Sequence, residues 1–265
     1  MASTDSTRPG PSPALTSAPD LVLREGRYTL RFARSEDEVR AALRLRYEVF
    51  NLELGEGLQS SVASGLDQDE FDGGCHHMLV EYDGVVVGTY RMQTAAMATA
   101  WRGFYSSGEY DLSPLGDEVL GRSVEVGRAC IHADHRKHKV LFALWRGLAA
   151  YLRHTGSRYF FGCCSLTSQD MDEALVTMEW LRREDLVRPG PLATALPGLR
   201  CEGAPPDPAA VAAVSLPTLF RTYMRFGARV CSEPAIDRAF GTIDYLVLMD
   251  TETLPRTVRL LFGLS

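Results

Sequence analysis

Two charged residues sit where a charge is costly. Glu125 and Arg128 lie three apart in Val124-Glu-Val-Gly-Arg-Ala-Cys-Ile131, a run that otherwise reads as a buried strand. Such charges are expensive unless they are paired or used. A structural ion pair and a reaction centre both fit that spacing. Gly127 between them marks a bulge or a close backbone approach. A backbone N–H exposed at a bulge is what a thioester carbonyl needs as charge develops on its oxygen.

The same strand runs into His132-Ala-Asp-His-Arg-Lys-His-Lys139, and a helix starts near Lys139. A helix N-terminus with Arg136, Lys137 and Lys139 around it offers a phosphate the dipole, free N–H groups and positive charge together. The loop lacks the glycines that admit the pyrophosphate of coenzyme A, which leaves room for a phosphopantetheine arm carried on a protein. His132, His135 and His138 recur every third residue, but so cationic a loop is a poor seat for a divalent ion, and no metal is expected. Cys163-Cys164 falls inside an apolar run and reads as small buried packing rather than as a nucleophile.

These residues need a frame, and the chain spells one out. Tyr28–Ala33 alternates like a strand. Ser35 and Glu38 form a capping box for a helix that runs out near Gly55. Residues 55–74 have no period and several acids, as a functional loop does. Cys75–Tyr82, the turn pair Asp83-Gly84 and Val85–Gln93 make a hairpin. A short helical piece is expected near Met97–Phe104. Val124–Ile131, a helix over Val140–His154, a strand over Tyr159–Cys164 and a helix over Gln169–Arg183 follow. A helix over Pro217–Phe226 and strands near Ala228–Cys231 and Thr242–Met249 close the pattern. The expected fold class is α/β (α+β): a mixed central sheet with helices on both faces. Residues 1–20, rich in Ser, Thr, Pro and Ala, read as a disordered tail, and 21–265 as a single domain.

Charge narrows the function. The net charge of -6 argues against a nucleic-acid binder. Ser35–Asp83 holds twelve acidic and three basic residues, whereas Arg122–His154 holds seven basic and two acidic. A positive stretch in an acidic protein suits an anionic partner. The six cysteines show no C-x-x-C pair, and the start of the chain has no apolar signal run, so a cytoplasmic protein with reduced thiols is expected.

At Leu45-Arg46-Tyr47-Glu48-Val49-Phe50, Asp69/Asp72 before His76-His77-Met78-Leu79-Val80, Val87-Gly88-Thr89-Tyr90-Arg91, Glu125-Val126-Gly127-Arg128 and Phe161-Gly162-Cys163-Cys164-Ser165, the chain resembles the bacterial ornithine N-alpha-acyltransferases. These make lyso-ornithine lipid from ornithine and a 3-hydroxyacyl carrier protein. More distantly it is similar to acyl-homoserine lactone synthases and N-acyl amino acid synthases, which remain the alternative reading. The likeness covers roughly residues 28–255. It implies a GNAT-like fold and an amino-acid N-acyltransferase that needs no cofactor, with acyl carrier protein as donor and ornithine as acceptor. It also implies Glu125 and Arg128 as catalytic residues, with Glu125 the base or an anchor for the ammonium, Arg46, Phe50, Asp69, Asp72 and Arg91 on the substrate side, and Arg136, Lys137 and Lys139 on the donor side. Arg91 and Arg128 would hold the substrate carboxylate or brace the acids. His76 or His77 is the reserve candidate for the base. The acids Asp67, Asp69, Glu70 and Asp72 would suit the second positive charge of ornithine. The C-terminal run Leu254–Leu264, two Arg among apolar residues, reads as a weak interfacial anchor or as a buried closing segment, so peripheral membrane contact is possible.

Overall fold

Alternation of apolar residues builds the central sheet strand by strand. In the computed structural model, which describes residues 13–136 and 138–264, its strands are β1 (Leu23–Glu25), β2 (Tyr28–Phe32), β3 (His76–Tyr82), β4 (Val85–Thr94), β5 (Ser123–Ile131), β6 (Tyr159–Leu166), β7 (Arg229–Val230), β8 (Ala235–Asp237) and β9 (Thr242–Asp250). Their spatial order is β1-β2-β3-β4-β5-β6-β9-β8, and β7 also pairs with β9. All pairs are antiparallel except β5 with β6. The β3–β4 turn is the expected tight one, with Asp83 at φ 51° and Gly84 at φ 85°.

Helices cover both faces. The main ones are α1 (Pro13–Ser17), α2 (Glu36–Tyr47), α3 (His138–Thr155), α4 (Met171–Arg183), α5 (Thr218–Arg225) and α6 (Arg256–Phe262). Within β3, Met78 and Val80 pack with Leu144 and Leu148 of α3, while Leu79 between them packs with Ala42 of α2. The two helices therefore lie on opposite faces, as a period of two requires. Helices α4 and α5 pack on β6 and β9 through Met178, Leu181, Phe220 and Met224. The cap of α2 forms as expected on one side: Ser35 Oγ accepts from Glu38 N–H at 3.3 Å. The Glu38 carboxylate accepts from Arg34 N–H at 2.6 Å. Helix α2 then widens into a π-helical stretch, Glu48–Glu53, a distortion often found beside functional sites.

At the termini the structure departs from one expectation and decides between two alternatives. Residues 1–12 of the expected disordered tail lie outside the described residues, but Pro13–Ser17 is helical. Ala14, Leu15 and Ala18 are buried, and Ser17 Oγ bonds His76 Nε2 at 3.0 Å; a few small apolar residues in a polar background suffice to dock this turn. At the other end, Leu254 and Val258 are buried in the core beneath α3, and Arg153 Nη1 donates to Gly263 O at 2.8 Å. The run read as a possible anchor is thus a closing segment, although Leu260 stays exposed.

The centre of the sheet opens to make room for a site. β5 and β6 pair only from Ser123 with Tyr159 to Glu125 with Phe161. At Gly162 the strands still touch: an added Cβ would lie 2.1 Å from Val126 O, so only glycine fits. Beyond that point the strands enclose a cavity of about 370 Å³. On its other edge β5 bulges, because Thr89 faces Cys130 while Arg91 faces Gly127. The extra residue bends the strand. Sequence placed this bulge at Gly127, but the left-handed residue is Arg128, at φ 51°. A non-glycine residue holds that conformation only when its surroundings impose it.

Candidate active site

Three arginines meet three aspartates on the α2 side of the opening. Arg46, fully buried on α2, donates from Nε to Asp67 at 2.9 Å and from Nη1 to Asp72 at 2.7 Å. Arg91 on β4 bonds Asp69 at 2.6 Å and Asp72 at 3.1 Å. Arg128, swung inward by the bulge, reaches Asp69 at 3.2 Å and Asp67 at 3.4 Å. Burial, the largest influence on Asp72, would raise its pKa, yet Arg46 and Arg91 outweigh it and hold the carboxyl well below the usual range. Asp69 is lowered likewise, Arg91 overcoming burial.

This network overturns one expectation. Asp67, Asp69 and Asp72 already have cationic partners, and Glu70 is exposed and pairs with Arg102 at 2.9 Å. The acidic loop is therefore neutralised from within and is not poised for a substrate's second charge. Arg46 and Arg91 each bond two of these aspartates.

Glu125 is held differently. It accepts from Tyr105 N–H at 2.7 Å and Ser106 N–H at 2.8 Å, and also from the Ser106 hydroxyl. Burial pushes its pKa up despite these bonds, which makes the carboxylate a better proton acceptor than an exposed one. Tyr105 stacks beside both cations, with Arg91 5.3 Å and Arg128 5.1 Å from its ring centre. Glu125, Arg91, Arg128, Tyr105 and Phe50 all line the cavity. From this charged end it continues into an apolar chamber bounded by Trp145, Leu148, Phe160, Phe220, Tyr223 and Met249. Phe50 packs edge-on to Phe240 with 5.4 Å between ring centres.

The sequence missed Tyr105 and Ser106 as ligands of Glu125 because backbone N–H donors have no residue-type signature. It also missed a second acidic group, Glu109 and Asp244, although a charge between Ile243 and Tyr245 carries the same signal that marked Glu125.

The donor-side residues are less assembled. Arg136 grips Glu53 with two bonds of 2.5 and 2.6 Å. Lys139 is exposed in the first turn of α3, and Lys137 lies outside the described residues. His132 accepts from Asp134 N–H and His135 bonds Tyr28 OH at 3.2 Å. The reserve bases are placed elsewhere: His76 bonds Tyr151 OH at 2.7 Å, with burial lowering its pKa to about 4, and His77 donates to Asp72 O at 3.0 Å. Neither lines the cavity. Cys163 does line it, but burial pushes its thiol well above the ordinary range, so it is a poor nucleophile.

A sequence model of the acetyltransferase (GNAT) domain matches residues 45–146. An L-ornithine N(alpha)-acyltransferase of Rhodobacter capsulatus is 33% identical over 243 residues, spanning 88% of this chain and 93% of that protein. One from Agrobacterium fabrum is 31% identical over 262 residues, 92% of this chain and 88% of that protein. The chain belongs to the L-ornithine N(alpha)-acyltransferase family. It is an N-acyltransferase. Among solved structures, FeeM, an N-acyl amino acid synthase from uncultured soil microbes, superposes with a TM-score of 0.54 at 12% identity, covering 90% of this chain and 98% of that one. The acyl-homoserine lactone synthase LasI gives 0.50 at 13%, covering 89% and 94%. Both share the GNAT-like fold. No helix among the described residues is long and apolar enough to cross a membrane.

Proposed function

We propose that this enzyme moves a 3-hydroxyacyl group from acyl carrier protein to the α-amine of ornithine, forming lyso-ornithine lipid. One observation carries the reading: the opening between β5 and β6 joins a buried charged end at Glu125 and Arg128 to an apolar chamber. An amino acid and an acyl chain can thus meet at the bulge. The amine nitrogen attacks the thioester carbon as Glu125 takes its proton. Backbone N–H groups of β5 beside Gly127 stabilise the oxyanion. Collapse of the intermediate breaks the C–S bond, and the departing thiolate takes the proton back from Glu125, which regenerates the carboxylate. No acyl-enzyme is needed. Arg128 holds the acceptor carboxylate, while Arg46, Arg91, Asp69 and Asp72 set its position.

Purified protein incubated with 3-hydroxyacyl carrier protein and the twenty amino acids plus ornithine should give one dominant product, with the mass of N-acyl-ornithine. That product should form without S-adenosylmethionine. A different acylated amino acid, or a requirement for S-adenosylmethionine, would sink the reading. We place the enzyme in the cytoplasm, at the membrane face into which an amphiphilic product must pass.

Arg136, Lys137 and Lys139 serve donor capture in this reading. Changing all three to Ala should raise KM for the carrier protein by about tenfold at low salt. The effect should shrink as salt rises, since exposed charges are screened over about 10 Å at 0.1 M. Unchanged carrier binding at low salt would make the stretch an ordinary solvated face.

A further inference from the structure

A second group of acids, unmatched by the arginines, lies by the wall of the cavity. Asp244, on β9, is 4% exposed and lines the cavity; Glu109, behind it, is 6% exposed. Their carboxylate oxygens and Cys163 Sγ lie within 4.8 Å of one another. Asp237 lines the same wall, and its Oδ2 accepts from Tyr105 OH at 3.4 Å. Among the described residues no ion pair reaches Glu109, Asp237 or Asp244, unlike the aspartates around Arg46. Ser165 and Thr242 sit beside the Asp244 carboxyl. Even so, Asp244 Oδ1 and Glu109 Oε1 are buried with no hydrogen-bond partner. Two buried carboxyls facing each other cost free energy unless they share a proton or meet a cation. Burial, followed by the charge of Asp244, pushes Glu109 up to about 10.

The cavity is therefore bipolar. Arg91 and Arg128 lie by the Tyr105 ring, while the hydroxyl of that ring reaches the acidic wall at Asp237. An amino acid with a second amine has the complementary pattern, a carboxylate at one end and an ammonium at the other. We propose that Asp244 and Glu109 form the subsite for the distal ammonium of the acceptor, and so set the preference for a diamino acid. This deepens, and rests on, the reading of ornithine as acceptor. A neutral side chain of the same length leaves both carboxyls without a partner, which is how a site built for a polar group rejects its apolar analogue.

The test compares ornithine with norvaline, which lacks only the terminal amine, using 3-hydroxyacyl carrier protein and the full-length chain. Wild type should show a kcat/KM ratio strongly in favour of ornithine. In Asp244→Asn that ratio should fall at least about tenfold, the scale of one lost charge-assisted bond. Glu109→Gln should shift it the same way, and it serves as the readout should the first variant fail to fold. A wild type indifferent to the terminal amine overturns the ornithine reading itself. A selective wild type, with variants that melt normally and keep its ratio, overturns the subsite alone. Activity lost to a chelator and restored by a divalent ion would give the three residues to a metal, and would likewise overturn it.

Discussion

Glu125→Gln should lower kcat for acyl transfer by about 10²–10⁴-fold while leaving KM for the carrier protein nearly unchanged. The carboxylate lines the cavity at the opening of the sheet, where an amine on the acceptor would lose its proton. A loss confined to kcat marks a group used in the transition state; a rise in KM with kcat unchanged would mark one used only for binding. The pH profile gives an independent check. Burial raises the Glu125 pKa, so the acid limb of kcat/KM in wild type should lie above the ordinary carboxylate range. In the variant that limb should vanish, leaving the limb of the amine itself near pH ~8. Folding must be watched separately. Gln can turn its NH₂ toward the amides of Tyr105 or Ser106, which are donors too, at a cost of about 1–3 kcal/mol. A variant that melts lower yet keeps near-native kcat would make Glu125 a brace for the Tyr105–Ser106 turn and no base at all.

What the sequence made legible follows from the range of the interactions involved. The Asp83-Gly84 hairpin, the Ser35 cap and the α3 stripe rest on neighbours a few residues apart, and period and turn chemistry reveal them. Glu125 and Arg128 were legible for another reason: a charge inside a β run is anomalous wherever its partner lies. The partners themselves were not legible. Asp69 reaches Arg128 across 59 positions and Arg46 meets Asp67 across 21, so a loop that reads as free negative charge folds into a neutral network. Conversely, Asp244 is a charge inside a β run like Glu125, but its pairing with Glu109 arises only when β9 docks beside β6. The C-terminal run shows the same limit. Its apolar residues with two Arg are ambiguous until α3 supplies the surface that covers Leu254 and Val258.

Arg46→Ala should be the most damaging single change to the frame, destabilising the protein by about 3–5 kcal/mol, because it strands buried carboxylates that the arginine now bridges. Arg46 is the hub between Asp67 and Asp72, and none of the three is appreciably exposed. For a chain of this size the melting temperature should fall by roughly 10 °C. Arg46→Lys should recover part of the loss, since an ammonium keeps the charge but cannot present the two-pronged fork. The pH dependence carries the stronger test. In wild type Asp72 is held well below its unfolded pKa of about 3.9. Its contribution is therefore present above that pH and is lost only in stronger acid. Without Arg46, burial becomes the dominant influence despite Arg91, and the folded pKa of Asp72 should move above the unfolded one. The sign then reverses: the stability of the variant should decline as pH rises past about 4. Urea melts of both proteins at pH 5 and pH 7.5 should therefore show a deficit that is larger at the higher pH. Adding Asp67→Asn and Asp72→Asn to the Arg46→Ala chain should narrow the deficit at pH 7.5, because amides do not carry the stranded charge. A deficit under about 1 kcal/mol, or one of equal size at both pH values, would mean that water reaches the network and that Arg46 is not its keystone.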